Sequence, residues 1–186
     1  MKGKVVLFGF LCLLGLGAVG RSAVSASIPV AAKTVVSMPG ASLEREVRHE
    51  LLMLPYYSVF DHLAFQIDGG IVILSGEVTR PTLKDDAERA IKRIEGVEQV
   101  VNKIHVLPVS PFDDQIRVAA FRAIYGTPEL NRYAHQAIPP IHIIVENGRI
   151  TLEGVVANET DRNLAYIKAL EVPGVFSVAN HLAIED

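Results

Sequence analysis

Six histidines are the side chains here best suited to hold a metal or move a proton near neutral pH: His49, His62, His105, His135, His142 and His181. None stands in an H-x3-H pair or beside a cysteine, the spacings that gather zinc ligands. His142 and His181 share one face of a predicted strand pair, which is only a loose surface arrangement. The carboxylate pairs Asp85-Asp86 and Asp113-Asp114 could do acid–base work. Each sits where a helix is predicted to begin, and a helix N-terminus favours negative charge without any catalytic role. Gly15-Leu16-Gly17-Ala18-Val19-Gly20 spells a phosphate-cradling fingerprint. It follows no strand and opens no βαβ unit, so it is not a dinucleotide site. No nucleophile elbow and no G-x-x-x-x-G-K-S/T occurs. The expectation is a protein without catalytic, cofactor-binding or metal-binding residues, and without a small-molecule substrate.

Composition narrows the class further. The chain has 186 residues, 49% of them apolar, with one Cys and no Trp. One Cys cannot close a disulfide within the chain. The apolar content excludes full disorder. A net charge of −3 lacks the basic excess that phosphate neutralisation needs, so nucleic acid is not an expected partner.

Met1-Lys2-Gly3-Lys4 is a basic start, and Val5 to Gly20 is an uncharged run of sixteen. Arg21 ends it, and Val24-Ser25-Ala26 supplies the small residues of a cleavage site. Residues 1–26 therefore read as a secretory signal, either cut after Ala26 or kept as an N-terminal anchor. Cys12 lies inside the apolar run, with Gly9 three before it and Leu11 just before it. That reverses a lipobox, so lipidation is not expected. Cleavage would leave 15 basic and 21 acidic residues, a net charge of −6. Residues 27–41 are small, Pro-punctuated and nearly uncharged, and read as a flexible leader.

The rest of the chain is a duplication at an offset of 78. Gly70, Leu74, Gly76, Val78, Thr82, Ala87, Gly96, Val97, Val100 and Asn102 all recur. The repeats are predicted at 42–107 and 112–184, joined by a linker at 108–111. Each predicts a helix first. Leu43, Val47 and Leu51 share a helical face capped by Ser42, and Ile116, Ala120 and Ile124 match them. The second of these helices starts at Asp113 or Asp114. Alternating Leu63, Phe65 and Ile67 then predict a strand, as do Ile141, Ile143 and Val145. Asp68-Gly69-Gly70 and Glu146-Asn147-Gly148 predict tight hairpin turns. A second strand, a helix over 81–95 or 159–172 stopped by Gly96 or Gly174, and a last strand complete each repeat. The fold class is α+β: two tandem α-β-β-α-β units, each a three-stranded mixed sheet covered on one face by two helices.

In these motifs the chain resembles the BON family, the bacterial OsmY and nodulation domain. The pattern G-x-V-x-L-x-G-x-V stands at Gly70 to Val78 and, in looser form, at Gly148 to Val156. The pattern G-V-x-x-V-x-N stands at Gly96 to Asn102 and at Gly174 to Asn180. The resemblance implies an exported, non-enzymatic, periplasmic protein of the cell envelope. Its partners would be a phospholipid membrane surface or envelope proteins, and its role envelope maintenance or osmotic stress. A soluble holdase for unfolded outer-membrane clients is the alternative.

Within the motif, Gly76 and Gly154 lie on the core-facing side of a strand, where a bulge or a closely packed helix would exclude a side chain. Asn102 and Asn180 fall among apolar neighbours and should tie strand to helix or turn by hydrogen bonds. Helix 81–95 carries Arg80, Lys84, Arg89, Lys92 and Arg93, diluted by Asp85, Asp86 and Glu88. That reads either as a solvated, ion-paired face or as a basic strip for a membrane. Five extra residues within 127–140 distinguish the second repeat. There Arg132, Tyr133 and Ile138, with Tyr125 just before them, are the expected contacts with a headgroup layer or partner.

Overall fold

The computed structural model describes residues 39–185, which fall within one compact body. The signal and most of the leader lie outside the described residues. The first repeat runs α1 (Pro39–Leu52), β1 (His62–Asp68), β2 (Ile71–Val78), α2 (Pro81–Ile91), β3 (Gln99–Asn102) and β4 (His105–Val106). The second runs α3 (Pro111–Tyr125), a 3-10 turn (Asn131–His135), β5 (Ile141–Glu146), β6 (Arg149–Val156), α4 (Glu159–Leu170), β7 (Ser177–Asn180) and β8 (Ala183–Ile184). β1 and β2 form an antiparallel hairpin, and β3 and β4 both join β2 in parallel. β5 to β8 repeat that pattern.

The α+β architecture of two repeated units stands as the sequence predicts, with one refinement. The last strand of each repeat is broken in two. The cause is the motif asparagine. Asn102 Oδ1 accepts from the Ile104 amide at 3.1 Å, and its Nδ2 donates to the Lys84 carbonyl of α2 at 3.0 Å. Asn180 does the same with the Leu182 amide (3.2 Å) and the Arg162 carbonyl of α4 (3.0 Å). The side chain that ties sheet to helix thus interrupts the strand it stands on.

Helix starts and stops differ from the periodicity. α1 begins at Pro39, inside the stretch predicted as leader, so Ser42 lies within the helix rather than at its cap. Proline at a first turn costs no hydrogen bond, because that amide has no helical acceptor anyway. α3 begins at Pro111, and Ser110 Oγ accepts from the Asp113 amide at 3.2 Å. α2 stops at Ile91, a turn before Gly96.

The glycines inside β2 and β6 are explained by the neighbouring strand and not by a helix. Gly76 has φ +111 and Gly154 φ +119. A Cβ at Gly76 would strike the His62 carbonyl, and one at Gly154 the Pro140 carbonyl. The turns differ too. Asn147 and Gly148 both have positive φ, a type I′ pattern, whereas only Gly69 does in the first turn, a type II′ pattern.

Each repeat has its own apolar core. Val47, Leu74, Leu83 and Ile91 anchor the first. Ile116, Ile124, Ile143 and Leu152 anchor the second. The segment before β1 does not respect that division. Val59 is buried in the second core with Phe60 against it, and its carbonyl accepts the Ile143 amide at 2.8 Å.

Candidate functional site

Two of the four residues expected to meet a membrane are inside the second repeat. Tyr125 is 3% exposed; its hydroxyl donates to the Ile141 carbonyl at 2.6 Å and accepts the Ile141 amide at 3.2 Å. Burial pushes its phenol far above the ordinary value. Tyr133 is 7% exposed; its hydroxyl reaches Asp161 at 2.6 Å and accepts the Ala157 amide at 2.8 Å. A hydroxyl in an apolar site must find a partner, and these two find theirs within the fold. Arg132 is exposed, bonds to the buried Asp161, and lies 5.0 Å from the Tyr133 ring centroid. Ile138 is half-buried. The insertion therefore folds over its own core, with Leu130 as its plug.

The histidines separate. His142 is buried between the repeats, stacked on Tyr57 at 5.6 Å and facing His62 at 6.2 Å. Its Nδ1 has no hydrogen-bond partner. Burial, followed by the nearby His62, pulls its pKa down, so the ring is held neutral. The same joint pushes the Tyr57 phenol up to about 12, chiefly through burial. His181 instead lies outside, on Glu153 at 2.7 Å. Among the described residues, no group of three His, Cys, Asp or Glu side chains converges as a metal site would require. The basic face of α2 is largely paired: Arg89 with Asp86, Lys92 with Glu88, and Arg80 over the Tyr56 ring.

The structure brings together a different set of residues. Phe176 is 77% exposed and Phe112 47%, and Val109, three residues before Phe112 along the chain, is 94% exposed. Phe112 stands in the first turn of α3, and Phe176 just before β7. Both rings lie against Gly148: a Cβ there would come within 2.6 Å of Phe176 and 3.4 Å of Phe112. Gly174 likewise makes room for Phe112. Beneath them Asp113, 1% exposed, accepts the amides of Asn147 (3.0 Å) and Gly148 (2.8 Å), pinning the turn to α3. Exposed Arg149 follows the turn. The result is a rigid apolar corner at the turn end of the second sheet. One signal of it stands in the sequence. At the offset of 78, Phe176 replaces Glu98, an exposed acidic residue.

The BON domain model matches residues 40–108 and 128–186, more than half of the chain. The chain belongs to the BON family. Proteins of the BON family are typically envelope-associated and generally non-enzymatic, and BON domains in general bind membranes or phospholipids. Among proteins with curated descriptions, none matches the chain. Solved structures of CdsD, a structural protein of the type III secretion system of Chlamydia trachomatis, are similar at 12% identity and a TM-score of 0.31. That match covers 77% of this chain and 92% of the other. The CdsD C-terminal domain is similar at 11% identity and a TM-score of 0.28, covering 77% and 98%.

Proposed function

We propose that this BON protein is a non-catalytic periplasmic envelope protein whose second repeat docks on a phospholipid surface through Val109, Phe112 and Phe176. The observation that carries the reading is the pair of solvent-facing phenyl rings. Exposed rings held on a fixed backbone lose little entropy on insertion, and burying apolar area yields roughly 25 cal/mol per Å². Aromatic side chains favour the membrane–water interface. The net charge of −3 gives no general attraction to anionic lipid, so apolar insertion would dominate, with Arg149 beside a headgroup phosphate. Such docking suits envelope maintenance or osmotic stress, where a non-catalytic adaptor holds partners at a membrane.

The test is flotation of the full chain with vesicles of neutral phospholipid, and with vesicles containing anionic phospholipid, at low and moderate salt. Flotation should persist at moderate salt and fall at least tenfold in the F112S/F176S variant, with circular dichroism unchanged. A wild-type chain that floats with neither vesicle would remove the lipid reading. Equal flotation of the variant would remove the aromatic corner from it.

A further inference from the structure

The two repeats treat their edge strands in opposite ways. In a two-residue hairpin the pair flanking the turn is hydrogen-bonded across the ladder, so residues at alternate positions aim their backbone groups outward. In β5 the outward residues are Ile141, Ile143 and Val145, and this chain caps four of their six backbone polar groups. Tyr125 covers both polar groups of Ile141, the Val59 carbonyl takes the Ile143 amide, and Arg117 Nη2 donates to the Val145 carbonyl at 2.6 Å.

In β1 the matching residues are Leu63, Phe65 and Ile67. The five extra residues of the second repeat reduce the offset from 78 to 73 across the first helices. At that offset Tyr125 becomes Leu52, Arg117 becomes Glu44 and Asp113 becomes Gly40. Leu52 and Gly40 have no polar side-chain group, and a carboxylate cannot donate to a carbonyl. Helix placement agrees: α3 packs along β5, whereas α1 packs on α2 and stands away from β1. An open groove of about 1090 Å³ lies between α1 and β1. Among the described residues no side chain hydrogen-bonds the outward backbone groups of Phe65 or Ile67, and at Leu63 the Tyr57 hydroxyl lies near the amide. Arg48 reaches over the Phe65 ring, 5.6 Å from its centroid.

We propose that the β1 edge of the first repeat is a docking site for an extended, basic polypeptide segment, which adds as a strand along Phe65 and Ile67. Two observations choose this occupant. The duplicated edge in the second repeat already accepts main chain, at Val59, so the site's own copy shows what fits it. The groove is rimmed by Glu46, Glu95 and Glu98, none of them in an ion pair among the described residues, while Arg48 is held by Glu44. That acidic rim attracts Lys and Arg and disfavours a second copy of this acidic chain. Main-chain bonding supplies affinity in such strand addition, and alternate side chains supply selectivity. This inference is independent of the lipid reading, since its surface is on the other repeat.

The experiment uses the full chain and a capped hexapeptide alternating valine and lysine, read by amide hydrogen exchange. In the free protein the Phe65 and Ile67 amides should exchange at least tenfold faster than that of Ile143. The peptide should slow both by at least tenfold. A peptide with glutamate in place of lysine, or with N-methylated backbone amides, should not. The E44R/L52Y variant puts the second repeat's capping side-chain types at two solvent-facing positions of α1, of which position 44 lines the groove. It should bind the peptide at least tenfold more weakly while remaining folded by circular dichroism. Three results would overturn the proposal: Phe65 and Ile67 already protected in the free chain, no protection by the basic peptide, or undiminished binding by E44R/L52Y.

Discussion

Tyr125→Phe isolates how much the closed strand edge contributes to the second repeat. The substitution removes one oxygen and keeps the ring, so packing on Phe121, 4.9 Å away between centroids, is preserved. What disappears is a donor to the Ile141 carbonyl at 2.6 Å and an acceptor for its amide at 3.2 Å. Each intramolecular hydrogen bond nets roughly 1 kcal/mol, and each buried polar group left unpaired costs about 1–3 kcal/mol. Ile141 is fully buried, so water cannot readily replace the hydroxyl. The expected loss is about 2 kcal/mol. In a domain of this size that lowers Tm by about 4–8 °C. Urea unfolding should shift its midpoint with an unchanged slope, because the surface exposed on unfolding is the same. The Ile141 amide should exchange faster than in the parent chain. A loss under about 0.5 kcal/mol, with Ile141 exchange unaltered, would mean that the hydroxyl is not a cap. The β5 edge would then be open at Ile141, as the β1 edge is at Phe65 and Ile67.

Two further outcomes follow from positions described above. Gly154→Ala should cost about 3 kcal/mol or more, because φ +119 and the Pro140 carbonyl both oppose a methyl group; Gly69→Ala, with open space around it, should cost about 1 kcal/mol. Chemical denaturation of both variants checks the difference. Acid should also weaken the joint between repeats: His142 has its pKa lowered by burial, so the unfolded chain takes up the proton first. Stability therefore falls as pH drops below about 6.5 and levels off below the folded pKa. Urea midpoints at pH 7.5 and 5.5 should differ less in His142→Phe than in the parent chain.

The repeat, its hairpins and its element order were legible because they rest on local chemistry. Alternating Ile141, Ile143 and Val145 mark a strand with one apolar side, and Asn147-Gly148 suits only a tight turn; that His142 and Ile144 on the other side are buried too was not legible. The motif asparagines were legible for a similar reason, since an amide among apolar neighbours must bond to something. The contact residues were not. Arg132 beside Tyr133 looks like an interfacial pair, and only the fold brings Asp161 from α4 to claim both. Asp161 itself replaces Leu83 of the first repeat, so nothing local announces a buried carboxylate there. The same holds for Asp113, which reads as an ordinary helix-start acid until the turn at 147–148 arrives beneath it. Long-range hydrogen bonds decided these sites, and periodicity carries no information about them.

The Val59 carbonyl on Ile143 also bears on how the molecule assembles during synthesis. The first repeat leaves the ribosome earlier and holds a complete core of its own. The second does not: its core includes Val59, with Phe60 against it, from chain already made. An isolated second repeat beginning after the linker would leave a notch beside Ile143 and an unanswered amide there. Duplication has thus become dependence in one direction. The later copy folds onto a foothold that the earlier copy extends.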